Sequence, residues 1–323
     1  MSSSESRTHD RIRCLGLLAV LLAAACGSSG TAGPGTPDPV RTYRIRRVAD
    51  SPVARTGHVA IGLVDGSALV MGGNSSDAIN VPDSSSTQRF DPATEAFTAG
   101  PPLAVSALDG EFTVPVALRA GAFLLVGGGI NSGIPLATPS DALTQRFDPV
   151  RAEFVRSGDL KRVRSRAAAA TLLADGRVLV TGGGFPAAAF TEIYDPATEQ
   201  WAIAEDLQVA RRGHTATLLA NGRVLIAGGL VCCTDNREAF SAAAEIYDPT
   251  TGKFQLTDSL RQGRGFHRAT LLADGRVLLS GGFGGPDLGA WHSPLRRSSI
   301  RLSKSSPRSA CSRSRARATR PSC

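Results

Sequence analysis

The sequence predicts an all-β repeat protein, and three features that recur at nearly fixed spacing predict it: a Gly-Gly pair, a turn before it and an aromatic-Asp-Pro step after it. The second glycines of the pairs are Gly73, Gly128, Gly183, Gly229 and Gly282, at separations of 55, 55, 46 and 53 residues. Fifteen residues before them stand His58, Thr113, Ala168, His214 and His267. A constant motif with a period of about 50 residues is typical of a closed or stacked repeat architecture.

Each repeat is predicted to begin with two strands joined by a tight turn. The turn residues are Asp65-Gly66, Asp175-Gly176, Asn221-Gly222 and Asp274-Gly275, and Arg119-Ala120-Gly121 replaces them in the second repeat. Such pairs predict a two-residue hairpin with positive φ at both central positions. The second strand, RVLV or RVLI, is a short apolar run of the kind that is buried on both faces. It ends at Gly-Gly, where the absence of a Cβ lets another backbone come close.

The second half of each repeat is predicted to add two more strands. The third strand ends in an aromatic residue followed by Asp-Pro, with the aspartates at Asp91, Asp148, Asp195 and Asp248. We expect each aspartate to accept backbone N–H groups in a turn, which makes it a turn residue and not a catalytic carboxylate. Another aromatic stands six residues after each Asp and is expected to anchor the fourth, outer strand: Phe97, Phe154, Trp201 and Phe254.

Four short antiparallel strands in about 50 residues match one blade of a β-propeller. The order of motifs, GHTATLL, DGRVLV, GG and AEIYDP, resembles the kelch family, in the wording of bacterial secreted or surface proteins. The resemblance implies a kelch-type β-propeller over residues 42–287, with about five four-stranded blades visible and the last one incomplete. We also expect Thr42–Val48 to be an additional fourth strand that closes the ring, because Ile45 stands 13 residues before His58 as Trp201 does before His214.

The first 41 residues predict export. Residues 1–25 combine Arg7, Arg11 and Arg13 with an apolar core too short to span a membrane stably, as a signal peptide does. Small residues then precede Cys26, which resembles a bacterial lipobox and predicts lipidation of Cys26. The Gly/Ser/Pro-rich stretch up to residue 41 is expected to be a flexible tether. We therefore expect an outer-membrane or cell-surface lipoprotein, otherwise a secreted protein.

The other end of the chain departs from the repeat. Residues 288–323 are rich in Ser and Arg, contain 9 basic and 0 acidic residues, and are expected to be disordered. One interpretation is a basic tail that binds nucleic acid or anionic lipid. We favour a frameshift, because one permitted codon choice for Arg296–Lys304 encodes, in another frame, Ala-Glu-Leu-Tyr-Pro-Ala-Glu-Gln. That places a tyrosine at Ile300, 18 residues beyond Gly282, as Tyr247 lies 18 beyond Gly229.

Charge and cysteine content narrow the function classes. The chain carries net charge +8, but the repeat body alone holds 24 basic and 26 acidic residues, so we expect no nucleic-acid footprint on it. Of the six cysteines, only Cys232 and Cys233 lie in the repeat body, adjacent in one loop, so a disulfide framework is not expected. The spacing of the cysteines is not that of a metal site.

Long, variable segments are expected to share one face of the repeats, and loops on a rigid scaffold are where binding is expected. Side chains that start the first strands are expected to open onto that face, and these are Arg55, His58, Arg166, Arg212, His214, Arg264 and His267. Three histidines suggest a metal, but their equal register favours a repeated hydrogen bond to the neighbouring repeat. We expect no metal and no cofactor.

Two function classes remain open. The first is a non-enzymatic binding scaffold outside the cell that recognises a protein or a glycan. The second is an enzyme: the galactose-oxidase family holds a copper–radical site on a kelch propeller, and a propeller hydrolase or lyase is also conceivable. The oxidase needs two tyrosine and two histidine ligands with a Cys–Tyr crosslink, whereas this chain has three tyrosines, two of which occupy the repeat's structural position.

Overall fold

The structure is a computed structural model that describes residues 46–53, 55, 58–72, 86–104, 113–127, 142–164, 167–184, 186–232, 238–284 and 298–300. The predicted signal segment, Cys26 and its tether, and most of the C-terminal tail lie outside these ranges. Within the described residues the regular structure consists of β-strands and one short 3-10 turn.

The strands form sheets that follow the five repeats, and we number these units 1 to 5. Unit 1 contains β1 (Val59–Gly62), β2 (Ala68–Met71), β3 (Thr87–Asp91) and β4 (Ala96–Ala99). Unit 2 contains β5 (Val114–Ala117), β6 (Phe123–Val126), β7 (Thr144–Asp148) and β8 (Glu153–Arg156). Unit 3 contains β9 (Ala169–Leu172), β10 (Val178–Thr181), β11 (Thr191–Asp195) and β12 (Gln200–Ile203). These three units are four-stranded antiparallel sheets in which each strand pairs with the next.

The last two units vary this plan. Unit 4 contains β13 (Thr215–Leu218), β14 (Val224–Ala227), β17 (Ala244–Asp248) and β18 (Lys253–Thr257), again in one antiparallel sheet. A separate hairpin of β15 (Leu230–Cys232) and β16 (Glu238–Phe240) is inserted after its second strand. Unit 5 contains β19 (Arg268–Leu271), β20 (Val277–Ser280) and β21 (Ser298–Ile300), which makes three strands among the described residues.

The core lies between consecutive sheets. The second strands β6, β10 and β14 are buried at every position, as predicted for the apolar runs. Four hydrophobic clusters each join one unit to the next: Met71 with Phe123, Val126 with Val180, Leu179 with Ile226, and Leu225 with Leu279. The first strands of units 2 to 5 also lie beside one another in chain order. Each sheet therefore covers both of its apolar faces with its neighbours.

The predicted aromatic pairs are present in units 1 to 4. Tyr194 lies directly opposite Trp201 across β11 and β12, with ring centroids 5.1 Å apart. Tyr247 and Phe254 repeat this arrangement in unit 4 at 4.8 Å. Trp201 also reaches the preceding unit, because its Nε1–H donates to the carbonyl oxygen of Gly158 at 2.7 Å. The fourth strand is thus anchored between neighbouring units, as expected.

The first turn differs from the prediction. In the Asp-Gly and Asn-Gly turns only the glycine has positive φ, for example 96° at Gly176. The carbonyl oxygen of Leu173 accepts the Gly176 N–H, and the Leu173 N–H donates to Arg177, so the loop has three residues. The Asp175 side chain accepts the Arg177 N–H at 3.0 Å, which stabilises a turn that needs one left-handed residue. The expectation of two-residue turns at these positions was wrong.

The two-residue turn occurs instead in unit 2, whose sequence departs most from the repeat. Ala120 and Gly121 both have positive φ, 57° and 79°, between hydrogen-bonded residues Leu118 and Ala122. In the third turn the aspartates behave as predicted, since Asp91, Asp148, Asp195 and Asp248 each accept the N–H two residues on.

Unit 5 and the N-terminal stretch correct two further expectations. The tail was predicted to contribute no strand, but β21 pairs with β20 and sets Ile300 opposite Val277, as Tyr247 stands opposite Val224. The closing strand was predicted over Thr42–Val48, but Arg46–Val48 lie outside any sheet. Their arginines bind carboxylates instead: Arg46 pairs with Glu95 of unit 1, and Arg47 with Asp50 at 2.7 Å. Thr42–Ile45 lie outside the described residues.

Candidate functional site

Two buried ion pairs stand where the chain enters the first strands of units 3 and 4. Arg164 meets Glu192 and Arg211 meets Glu245, each with a nitrogen-to-oxygen distance of 2.8 Å, and all four side chains are at most 1% exposed. Burial lowers the pKa of both arginines, and the hydrogen bond and charge of the partner glutamate act in the opposite direction. A charge so deeply buried is tolerated because it is paired and hydrogen-bonded.

Each arginine also holds the first glycine of its Gly-Gly pair. Arg164 Nη1 donates to the carbonyl oxygens of Gly182 and Phe190, at 3.0 and 2.6 Å. Arg211 Nη1 donates to Gly228 and Ala243 in the same way, at 2.7 and 2.8 Å. The guanidinium therefore joins the end of the second strand to the start of the third, and its planar fork suits two acceptors side by side.

The glutamates gather the connecting segment that precedes the arginine. Glu245 accepts the backbone N–H groups of Gln208 and Val209, at 2.8 and 3.1 Å. Glu192 accepts those of Lys161 and Arg162 at 2.7 and 3.1 Å. Sequence reasoning missed both glutamates. The signal was present, because the third strands of units 3 and 4 read TEIYD and AEIYD where those of units 1 and 2 read TQRFD.

The histidines of units 4 and 5 bond to the preceding unit. His214 Nε2 lies 2.9 Å from Thr181 Oγ1 of unit 3, and His267 Nε2 lies 3.1 Å from Thr215 Oγ1 of unit 4. Burial, with the nearby positive charge of Arg211, holds the pKa of His214 well below 6.5. Burial and Arg264 lower the pKa of His267 to about 4. Both rings are therefore neutral at pH 7 and serve as hydrogen-bonding groups between units.

The side chains expected to open onto the loop-bearing face are mostly inside the molecule. Arg212, His214, Arg264 and His267 are between 3% and 7% exposed, which corrects the expectation that they face a ligand. The reason is that the first strands lie beside one another, so the neighbouring unit covers their starts.

Unit 1 is more open at the same place. Arg55 and His58 are half-buried, and Arg55 donates to the Gly72 carbonyl oxygen at 3.0 Å and to Ser86 Oγ. Arg166, the remaining residue of the predicted set, lies outside the described residues.

On the loop-bearing face, the described residues include the extra hairpin and two phenylalanines. Phe266 and Phe283 meet edge to face with centroids 6.5 Å apart and are 39% and 38% exposed. Phe266 has φ 54°, which is rare for a bulky side chain, and its ring lies 5.9 Å from the Arg212 guanidinium carbon. Residues 73–85, 128–141 and 233–237, which carry most of the predicted variable loops, lie outside the described residues.

The tyrosines relevant to the oxidase alternative pack inside their sheets. Burial raises the pKa of Tyr194 and of Tyr247 above the usual 10.0, and the Tyr194 hydroxyl shares a 2.6 Å hydrogen bond with Ser157. Tyr43 lies outside the described residues. Among the described residues, no three His, Cys, Asp or Glu side chains are grouped as metal ligands.

A cleft of about 430 Å³ opens on the opposite face, between the tight turns of units 3 and 4. Its lining comprises Leu173, Ala174, Asp175, Asn221, Gly222, Arg223, Asp248, Pro249 and Thr250. Tight Asp-Gly and Asp-Pro turns thus share one face, as predicted, but the sequence indicated no cleft there. A cleft depends on which side chain reaches across from the neighbouring unit, and repeat alignment does not contain that information.

Comparison with solved structures bears on the fold. The structure of YjhT, a kelch-like protein, matches with a TM-score of 0.57 and 14% sequence identity, over 81% of this chain and 89% of that chain. The fold is propeller-like. In all, 391 chains of solved structures match, so a likeness at this level of identity shows the fold and selects no function. No protein-family model and no curated protein matches the sequence.

A transmembrane helix was sought separately. In the part of the chain that the structure describes, no helix is long and apolar enough to cross a membrane.

Proposed function

We propose that the chain is a non-enzymatic binding scaffold that acts outside the cytoplasm and recognises a protein or a glycan. One observation carries the proposal. The charged and polar residues that recur in the repeats bond to backbone groups and to neighbouring units, as Arg211 does with Glu245 and His214 with Thr181. Residues used in this way position the strands, so recognition is left to the segments that differ between repeats.

The proposed architecture is a kelch-type β-propeller in which units 1 to 5 are blades and the fifth is incomplete. It is supported by the kelch-like order of motifs, by hydrophobic clusters that each join one unit to the next, and by the likeness to YjhT. Short strands around a central axis would give a rigid body whose loops project on one side.

The proposed location rests on the N-terminal sequence. Lipidation of Cys26 after removal of residues 1–25 would tether the scaffold to a bacterial outer membrane or cell surface through the Gly/Ser/Pro-rich stretch. In cells fed labelled palmitate, the wild-type chain should incorporate label and partition into detergent, and Cys26→Ser should do neither. Label retained by the variant would contradict the lipid anchor, and a plainly secreted protein would remain.

The scaffold function is tested with the purified full chain. We expect specific retention by a glycan array or by one purified partner protein, without turnover of galactose or other sugars and without peroxide release. Stoichiometric copper, together with oxidation of galactose, would replace this proposal with the oxidase. Catalytic release of sugar from a glycan would replace it with a hydrolase or lyase.

A further inference from the structure

The cleft between units 3 and 4 exists because one contact found between units 2 and 3 has no counterpart there. In unit 2, Arg119 crosses to unit 3, donates to the Ala174 carbonyl oxygen at 2.9 Å and covers Gly176, where an added Cβ would lie 3.3 Å from Arg119 Nε. The corresponding glycine of unit 4 is Gly222, and a Cβ there would meet nothing within 4 Å. The space that an arginine fills between units 2 and 3 is therefore open between units 3 and 4.

The turn of unit 4 differs in chemistry as well. In units 3 and 5 the turn aspartate holds the arginine two residues on: Asp175 accepts from Arg177 Nε at 2.8 Å, and Asp274 from Arg276 Nε at 2.6 Å. Unit 4 has Asn221 at this position. Its arginine turns instead to the third turn of the same unit, where Arg223 Nη2 lies 2.9 Å from Asp248 Oδ2.

This substitution leaves hydrogen-bond donors at the cleft. Asn221 Oδ1 accepts the Arg223 backbone N–H at 3.1 Å, and the Asn221 amide NH₂ has no acceptor among the described residues. The side chain of Arg223 is 52% exposed, and a guanidinium carries five N–H donors. Donors thus line one side of the cleft.

Acceptors line the remainder. Hydrogen bonds from Thr250 lower the pKa of Asp248, and those from Arg177 lower the pKa of Asp175 although burial acts to raise it, so both groups are carboxylates at neutral pH. Each carboxylate has more lone pairs than its present partners use. Leu173, which is 2% exposed, and Pro249 add apolar surface.

We propose that this cleft binds a neutral saccharide. A sugar hydroxyl both donates and accepts, so neighbouring hydroxyls match a lining in which an amide and a guanidinium alternate with carboxylates, and the C–H groups suit the apolar floor. Two carboxylates beside one arginine disfavour an anionic ligand. The inference rests on the proposed function, because it names the glycan that the scaffold recognises, and it places the site on the tight-turn face.

The decisive variant is Asn221→Asp. It makes the turn read Asp-Gly-Arg as in units 3 and 5, replaces the amide donor by an acceptor, and gives Arg223 the partner that Arg177 and Arg276 have. We would titrate the full chain by calorimetry with glucose, galactose, N-acetylglucosamine, maltose and cellobiose, with galacturonic acid as the anionic counterpart. At least one neutral sugar should bind, and Asn221→Asp should weaken it at least about tenfold, as expected for a lost hydrogen bond and a new like charge.

The matched control is Asp274→Asn, which makes the reciprocal change in unit 5, away from the cleft. It should leave saccharide affinity within about twofold of wild type, and thermal unfolding should show that both variants fold. The proposal is overturned if no neutral sugar binds at ~10 mM, if Asn221→Asp binds as wild type does, or if the control weakens binding equally. Preference for galacturonic acid would also overturn it.

Failure of the cleft and failure of the scaffold are distinguishable. If a glycan or one purified protein binds the chain and Asn221→Asp binds it equally, the cleft proposal fails and the scaffold proposal stands. If a sugar is bound and chemically converted, the scaffold proposal fails, whether or not the Asn221 variant affects it.

Discussion

Glu245 joins the segments that meet at the start of unit 4: it pairs with Arg211 and accepts two backbone N–H groups of the preceding connection. Glu245→Ala removes every one of these bonds and leaves the guanidinium buried without its counter-charge. We expect the free energy of unfolding, measured by urea titration, to fall by about 3–5 kcal/mol. The exposed Glu205 is the control, and Glu205→Ala should stay within about 0.5 kcal/mol of wild type. A Glu245→Ala loss as small as the control's would show that the pair does not stabilise the fold.

The buried histidines predict how stability depends on pH. The pKa of His267 is about 4 in the folded chain against 6.5 as the ordinary value, so between these values the unfolded chain binds the extra proton. Stability is then complete above about pH 6.5 and is lost as pH falls towards 4. For one such histidine the loss between pH 7 and pH 5 is about 2 kcal/mol.

His267→Gln keeps a polar side chain and removes the titrating group. Urea titrations at both pH values should therefore show a pH dependence smaller by that amount in the variant, with His214 supplying a further part in the same direction. An identical pH dependence in wild type and variant would mean that His267 titrates equally in the folded and unfolded chain.

The candidate site was predicted only in part from sequence because register does not determine exposure. The alignment identified His214 and His267 and favoured a bond to the neighbouring repeat, yet it also placed them on a binding face, whereas they are buried. Their burial depends on how closely consecutive first strands lie. Asn221 stood in the aligned turn position, but its effect appears only when Arg223 is seen to reach Asp248.

At the scale of an element, the Gly-Gly segment is the contact between one unit and the next. The Gly229 N–H donates to the Arg264 carbonyl oxygen at 2.7 Å, and a Cβ on Gly228 would lie 2.5 Å from that oxygen and 2.9 Å from His267 Cε1. Gly228→Ala meets both this crowding and a φ of 66°. We expect it to lower the free energy of unfolding by about 3 kcal/mol or more.

Gly275 separates the two causes. Its φ is 82°, but a Cβ there would meet nothing within 4 Å, so Gly275→Ala bears the backbone cost alone, about 1–2 kcal/mol. The difference between the two variants in urea titration measures the contact between units. Equal losses would contradict a close approach at Gly228.

Strands and their pairing were predictable because they depend on local pattern. Apolar runs such as Val224–Ala227 became the buried second strands, and aromatic residues six positions after each Asp paired across the sheet as Tyr247 and Phe254 do. Turn type was not predictable from the same pattern. The Asp175 side chain accepts the N–H two residues on, so the turn closes with a single left-handed residue where Asp-Gly statistics favour two.

At the scale of the whole molecule, every hydrophobic cluster belongs to two units, so a unit is stable only with its neighbours. Unit 5 is the exception among the described residues, because beyond β21 it lacks the fourth strand that units 1 to 4 have. An unpaired strand edge invites association with another chain. The proposed propeller therefore requires a strand from elsewhere in the sequence to cover β21.

Ile45 stands 13 residues before His58, as Phe254 does before His267, and Phe254 pairs with Tyr247 at the position that Ile300 holds in unit 5. Arg46, the next residue, is already bound to Glu95 of unit 1, beside which the closing strand of a ring would end. If Thr42–Ile45 cover β21, Ile45→Cys with Ile300→Cys should form a disulfide within one chain under mild oxidation, since directly opposed residues have Cβ atoms about 4.5–5.5 Å apart. Val48→Cys with Ile300→Cys is the control, because three residues further on the chain has left the sheet edge. A crosslink of equal yield in the control, or one that forms only between two chains, would show that the N-terminal strand does not close the ring.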